Sequence, residues 1–327
     1  MNKSIKIFIK WAVGPLLAIW LFYSLYQQVI AQPNIEDSLK LIKTMPLGTH
    51  AIKFWVVIAF VFVNWALEAR KWQLLMGPIQ PINFTTAFKS VLCGVTFSLN
   101  TPNRIGEYAG RVLFVQEGNR IKAIALSIVG GTAQLIITML MGCFGLIYFL
   151  ITMQPSKPLM GLSSIWVNLI LYGSIAITLF FIFLFFKLNC LTRLIKKIPY
   201  VKRFSTYSNV LENCNANILL RLLSLSFFRY IVFLLQYIFI LQILEVEQNF
   251  WIGFWLITIM FWIMAIIPSI AIAELGIRGT IAKTLFFYSS NTIGILTATF
   301  GIWFINLFIP ALIGSLLILG IKIKKEK

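Results

Sequence analysis

The sequence predicts an all-α polytopic integral membrane protein. Of its 327 residues, 59% are hydrophobic and only 12% are charged, whereas about a quarter of the residues of soluble globular proteins are charged. The mean hydropathy is +0.89. The apolar residues are gathered into blocks, most of them near the ~20 residues that an α-helix needs to cross about 30 Å of hydrocarbon. These observations exclude an ordinary soluble enzyme.

Six of the apolar blocks predict transmembrane helices. In chain order they cover residues 8–30, 54–67, 123–151, 165–186, 222–244 and 292–320. The first block follows a basic start like that of a signal peptide, but no cleavage site of small residues follows it, so it predicts an uncleaved helix. Runs such as 179–186 are apolar on every face, which argues against the alternating pattern of an outer-membrane barrel.

The basic residues predict the orientation of the chain in the membrane. Lys and Arg collect at 3–10, 70–71, 120–122, 187–203 and 322–327. Basic loops stay on the cytoplasmic side, so both termini are expected to lie there, in a bacterial-type plasma membrane. Because the +18 net charge sits at the ends of apolar blocks, no nucleic-acid partner is predicted. The segment from Lys187 to Arg203 either attracts anionic lipid or only fixes the topology.

Two further apolar segments predict re-entrant hairpins. Residues 84–99, interrupted at 100–104, lie between two cytoplasmic basic clusters and must therefore enter and leave on the cytoplasmic side. Residues 251–267 break at Pro268 and enter from the outer face by the same argument. Three crossings per half is an odd number, so residues 163–320 form an inverted copy of residues 1–151. Inverted repeats with broken segments at matching positions are typical of transporters.

The first break supplies most of the predicted substrate-binding residues. Pro102 lacks an N–H and Gly106 permits unusual dihedral angles, so the backbone can leave the helix there. Ionisable side chains within a membrane are costly and generally mark a pathway or a site. The alternative is a shallow hairpin whose Arg104 reaches the headgroups. The predicted residues are Asn100, Pro102, Arg104, Gly106, Glu107 and Arg111.

The second break has the same ingredients. It supplies the remaining predicted substrate-binding residues, Pro268, Glu274, Gly276 and Arg278. Glu107 and Arg111 are one helical turn apart and can pair locally, so we expect Arg104 to contact Glu274 across the two hairpins. The alternative is a purely local pair between Glu274 and Arg278. Two other basic residues, Arg221 and Arg229, are expected to reach the membrane interface at the start of the fifth helix.

Enzyme chemistry has little support in the sequence. The chain has a single histidine, His50, and no P-loop, G-x-S-x-G or H-E-x-x-H motif. Its four cysteines are widely spaced singles, so no catalytic residue, metal site or cofactor is predicted. One alternative is a membrane glycosyltransferase that uses the carboxylates of Glu36 and Asp37. Another is a non-catalytic partner of a lipid-modifying enzyme, which would tolerate neutral substitutions at both breaks.

Two motifs resemble those of a known family. Residues 101–107, T-P-N-R-I-G-E, resemble the T-P-G-R-x-G-E element of the lysylphosphatidylglycerol synthase transmembrane (flippase-like) family. Residues 273–278, A-E-L-G-I-R, resemble its later G-G-x-G-x-R-E element, and the resemblance spans residues 6–320. Asn103 stands where the family usually has glycine.

The resemblance implies a membrane region similar to a phospholipid flippase. Two-part members of the family add a soluble aminoacyltransferase, whereas this chain stops at Lys327, so a stand-alone member is expected. The predicted function is lipid translocation, with a polar cavity between the two breaks that passes the headgroup while the tails remain in the bilayer.

Overall fold

The computed structural model describes residues 23, 40, 43, 45–99, 101, 104–153, 159–187, 215–246, 249–267, 271–287, 289 and 291–319. These residues form a bundle of α-helices. The helices are α1 (Ala51–Met76), α2 (Phe84–Ser98), α3 (Gly106–Arg111), α4 (Arg120–Thr152), α5 (Ser164–Phe186), α6 (Ala216–Ile243), α7 (Phe250–Ile266), α8 (Ala271–Leu285) and α9 (Thr292–Leu319).

Five of the described helices, α1, α4, α5, α6 and α9, are long and apolar enough to cross a bilayer. Large apolar side chains on their outer faces are exposed, among them Phe62, Tyr172 and Leu179. Such a surface suits contact with lipid rather than water. The protein is therefore an all-α polytopic membrane protein, as the sequence predicts. The predicted first helix, at 8–30, lies outside the described residues apart from Tyr23.

The two predicted hairpins correspond to the helix pairs α2–α3 and α7–α8. With 15 residues in α2 and 17 in α7, these helices are shorter than the ~20 residues that a crossing requires. Asn100, Pro102 and Pro268, predicted to form the breaks, lie outside the described residues. The arrangement of six helices plus two hairpins, and its division at 1–151 and 163–320, remain predictions.

Each short helix pair packs closely against a long helix from the other half of the chain. Helix α2 lies against α9, where a Cβ atom at Gly314 would overlap the hydroxyl of Thr96. Helix α7 lies against α4, where a Cβ atom at Gly145 would overlap the hydroxyl of Thr258. Small residues at helix contacts let backbones approach closely in membranes. The two contacts therefore use the same pair of residue types.

The end of α1 differs from the sequence prediction. The second apolar block was expected to end at 67, with Lys71 among the basic residues on the cytoplasmic side. Helix α1 instead continues to Met76, and Lys71 is buried inside the protein beside Trp72 and Leu75. The predicted helix end was therefore wrong, and Lys71 does not follow the helix. Glu68, one turn earlier, forms an ion pair with its ammonium at 2.7 Å, which allows the charge to be buried.

Arg229 also lies elsewhere than expected. Helix α6 begins at Ala216, so Arg221 is near its start and exposed, but Arg229 is near its middle. The guanidinium of Arg229 borders an internal cavity and forms an ion pair with Glu68 at 3.1 Å. Its Nε donates a hydrogen bond to Oδ1 of Asn64 on α1 at 2.9 Å, because α1 and α6 pack against each other.

Candidate functional site

Arg104 and Glu274 join the two hairpins directly. Nη2 of Arg104 donates to the Glu274 carboxylate, with distances of 3.0 Å to Oε1 and 3.3 Å to Oε2. The cross-hairpin contact expected from the sequence is therefore present. Arg278 also donates to Glu274 Oε1, at 2.6 Å, so the local pair forms as well. Glu274 thus accepts hydrogen bonds from two guanidinium groups that come from different halves of the chain.

The backbone at Arg104 has an unusual conformation. Its φ is 58°, in the left-handed region that L-residues other than glycine rarely adopt. Such a conformation costs about 1–3 kcal/mol and persists only where its surroundings enforce it. The Glu274 side chain is buried, and its carboxylate pairs with the guanidinium groups of Arg104 and Arg278.

Gly106 has a different role from the one predicted. It is the first residue of α3 and its φ is not positive, so its conformation does not require glycine. What requires glycine is space, because a Cβ atom there would overlap the carbonyl of Phe97 on the preceding segment. The Gly106 N–H donates to Oγ1 of Thr101 at 2.8 Å. Gly276 differs from Gly106, since it is exposed and a Cβ atom there would meet nothing within 4 Å.

A second charged cluster centres on Glu68 of α1, which the sequence reasoning missed. Its carboxylate is buried and forms ion pairs with Lys71 at 2.7 Å, Arg111 at 2.6 Å and Arg229 at 3.1 Å. Three cations from α1, α3 and α6 thus share one carboxylate. The signal in the sequence was an acidic residue directly after an apolar block, since ionisable residues in membrane segments generally have functional partners.

Arg111 links this cluster to the first hairpin. It hydrogen-bonds Glu107 one turn earlier, which is the local pair expected from the sequence. Its guanidinium also lies over the ring of Trp72, 5.4 Å from the centroid, a cation–π geometry. Its backbone carbonyl accepts a 2.9 Å hydrogen bond from Oγ of Ser90 on α2. These contacts fix the guanidinium of Arg111 between α1, α2 and α3.

Arg229 extends the cluster to α9. Asn64, which accepts from Arg229, donates to Oδ1 of Asn306 at 3.2 Å. Asn306 lies in a π-helical turn at Phe304–Phe308, and such turns are frequent at functional sites. The sequence predicted an uninterrupted apolar helix there. A chain of polar contacts therefore joins α1, α6 and α9 inside an otherwise apolar bundle.

Both clusters border one cavity of about 420 Å³. Side chains from α1, α2, α3, α4, α6, α7 and α9 surround it, together with Arg104. Its charged lining residues are Glu68, Lys71, Arg104, Glu107, Arg111 and Arg229. Of the predicted site residues, three are therefore in the lining.

The other predicted site residues that the structure describes do not border the cavity. Glu274 pairs with Arg104, which borders the cavity, and with Arg278. Gly106 and Gly276 are not part of the lining. Among the described residues, no group of His, Cys, Asp and Glu side chains is arranged to hold a metal ion. What the lining offers chemically is fixed positive charge, hydrogen-bond donors and aromatic faces in a space of small-molecule size.

The sequence model of the family described as "Lysylphosphatidylglycerol synthase TM region" matches residues 7–315. The match covers both hairpins and ends within the last turns of α9, so it includes every residue that borders the cavity. A comparison with curated proteins found no match.

Proposed function

Because the chain belongs to the lysylphosphatidylglycerol synthase TM region family, we propose that it is a lipid translocase that moves a phospholipid or modified lipid between leaflets. The family match makes it a membrane protein of lipid synthesis or translocation. The observation that carries the finer proposal is the cavity. It joins charged residues of both halves of the chain within a bundle whose outer surface is apolar.

The size of the cavity supports the passage of a headgroup. Its volume of about 420 Å³ lies in the range of small-molecule sites, roughly 300–1,000 Å³. The acyl chains then remain outside, against the exposed apolar faces of the helices. Fixed charges replace part of the headgroup's hydration, which lowers the cost of taking it out of water.

The packing of the two halves supports an exchange of access between the two sides of the membrane. The α2–α3 pair contacts α9, and the α7–α8 pair contacts α4, as an inverted repeat requires. The Arg104–Glu274 contact is one of the polar links between these pairs. Opening it would separate the hairpins and widen the cavity toward one side. In secondary transporters one repeat rocks against the other about a fixed site.

The remaining parts of the proposal concern location and partners. We place the protein in a bacterial-type plasma membrane with both termini in the cytoplasm, as the basic residues indicate. We expect the basic segment from Lys187 to Arg203, which lies outside the described residues after Lys187, to attract anionic lipid headgroups. The protein acts without enzymatic turnover. A glycosyltransferase would need Glu36 or Asp37, both outside the described residues.

Translocation is measured with the purified protein in vesicles that contain a fluorescent phospholipid, by adding a membrane-impermeant reductant that bleaches the outer leaflet. We expect the reductant to bleach more of the fluorescent lipid than the outer leaflet contains. With the Glu274→Gln variant, we expect this additional bleaching to be slower. The control is Glu117→Gln, whose carboxylate is exposed and which does not border the cavity. Bleaching equal to that of protein-free vesicles, with folded protein, would refute the proposal.

A further inference from the structure

The lining of the cavity has an excess of positive charge. It contains four cations, Lys71, Arg104, Arg111 and Arg229, and two carboxylates, Glu68 and Glu107. Both carboxylates are already held by Arg111, and Glu68 also by Lys71 and Arg229. The lining therefore has two more positive than negative charges. Including Glu274 and Arg278, which adjoin Arg104, leaves this excess unchanged because their charges are opposite.

The lining also contains hydrogen-bond donors without acceptors. Trp65, Arg111 and Ser127 border the cavity, and each is more than nine-tenths buried. Within the described part of the chain, the indole N–H of Trp65, the Nε–H of Arg111 and the hydroxyl of Ser127 have no hydrogen-bond partner. The first two groups can only donate. Buried polar groups in native proteins are nearly always hydrogen-bonded, so these donors indicate a ligand that accepts.

Two of the four cations are accessible to a ligand. The Arg104 side chain is 45% exposed and that of Arg229 is 20% exposed, whereas Lys71 and Arg111 are buried. Arg104 comes from the first hairpin and Arg229 from α6 in the second half of the chain. Guanidinium groups form paired hydrogen bonds with phosphate oxygens. Because both groups border the cavity, a phosphate bound there can accept hydrogen bonds from a guanidinium group of either half of the chain.

From the charge and the unpaired donors, we infer that the cavity binds the phosphate of a lipid whose headgroup has no compensating cation. This inference rests on the proposed translocase function and names its substrate class. A net-anionic headgroup neutralises part of the excess positive charge, whereas a zwitterionic or aminoacylated headgroup returns positive charge to a site that already has too much. In the low-dielectric interior this difference determines the preference.

Binding is tested with the full-length protein in detergent, by titrating phosphatidylglycerol or phosphatidylcholine and counting bound lipid by native mass spectrometry. We expect phosphatidylglycerol to bind about tenfold more tightly, because the choline of phosphatidylcholine adds a positive charge to a lining that already has an excess. The preference should shrink in high salt, because ions screen the exposed guanidinium groups. Equal affinity for the two lipids would overturn the inference.

Two variants locate the site. Arg104→Gln should weaken phosphatidylglycerol binding by about tenfold, whereas the matched control Arg120→Gln should not. Arg120 is also 43% exposed and also paired with a glutamate, Glu117, but it does not border the cavity. Ser127→Ala removes a hydroxyl that has no partner, so it should weaken lipid binding without lowering the unfolding temperature. Unchanged binding in both Arg104→Gln and Ser127→Ala would place the lipid elsewhere and refute the inference.

A further titration distinguishes a lipid from a soluble phosphate. Glycerol phosphate at the concentration of the lipid should not displace phosphatidylglycerol, and displacement would overturn the assignment to a lipid. Failure of this inference is separable from failure of the proposed function. Selective binding without translocation would contradict the translocase function and leave the inference about the headgroup standing. Translocation without a headgroup preference would contradict the inference and leave the translocase function standing.

Discussion

Glu68 provides the sharpest test of the buried charged cluster, through the substitution Glu68→Gln. The change keeps the shape of the side chain and removes its charge. The Glu68 carboxylate is 4% exposed and holds Lys71, Arg111 and Arg229 within 2.6–3.1 Å. Among the described residues, Lys71 has no other carboxylate in ion-pair range. Three positive charges would then lie together in the bundle with Glu107, the partner of Arg111, as the only carboxylate in the cluster.

The magnitude follows from the burial of both partners. Removing one member of a buried ion pair typically costs about 3–5 kcal/mol, and we expect that loss of unfolding free energy. Glu117→Gln is the control, because Glu117 is 78% exposed and lies 3.6 Å from Arg120. Exposed pairs contribute about 0–1 kcal/mol. The two variants make the same chemical change, so their difference reports the burial of Glu68 together with its three cationic partners.

The assay is unfolding of detergent-solubilised protein by titration with dodecyl sulfate, followed by circular dichroism. The double variant Glu68→Gln/Lys71→Met should recover part of the loss, because it removes one uncompensated cation and fills its space with an apolar chain. A loss for Glu68→Gln within about 1 kcal/mol of that for Glu117→Gln would refute the reasoning. It would mean that water reaches the cluster and solvates its charges.

Three other predictions concern packing, coupling and topology. Gly106→Ala should lower the unfolding temperature, because its Cβ atom would overlap a neighbouring carbonyl, while Gly276→Ala should leave it unchanged or raise it slightly. Arg104→Gln and Glu274→Gln should be non-additive in a double-mutant cycle, with a coupling of about 0.5–3 kcal/mol typical of residues in contact, since the two side chains lie 3.0 Å apart. A cysteine at Lys197 should resist impermeant thiol reagents in intact cells and react after permeabilisation, because positive loops remain cytoplasmic.

Each of these predictions has an outcome that contradicts it. Equal unfolding temperatures for the two alanine variants would show that α2 and α3 separate easily at Gly106. Additive effects of Arg104→Gln and Glu274→Gln, within about 0.3–0.5 kcal/mol, would show that the hairpins do not interact energetically. Labelling of the Lys197 cysteine in intact cells would invert the proposed topology.

Helix positions were predictable because they depend on local composition. The block at 165–186 matches α5 (Ser164–Phe186), and the block at 292–320 matches α9 (Thr292–Leu319) within a residue at its end. Apolar length alone decides whether a segment can cross a bilayer. The local pair of Glu107 with Arg111 was predictable for the same reason, since four residues along a helix bring side chains to one face.

The prediction of the Arg104–Glu274 contact depended on more than local composition. Both residues follow a predicted break, and the predicted inverted repeat brings the two breaks together. Arg104 was expected to pair with Glu274 because Glu107 has a local partner in Arg111. The role of Gly106 was misjudged because the sequence does not reveal which atom lies beside it. Only the packed structure identifies the Phe97 carbonyl as the reason why a side chain is excluded there.

What the sequence by itself determined is the membrane class, the family and the two interrupted segments, because hydropathy and short motifs are properties of neighbouring residues. What only the tertiary structure decided is the cluster around Glu68 and the cavity beside it. Glu68 meets Arg111 and Arg229 from distant parts of the chain, and no local pattern marks such a meeting. In the sequence, Lys71 looks like a charge that follows a helix. Its burial depends on the cluster around Glu68, because a buried charge is stable only where the fold brings a counter-charge to it.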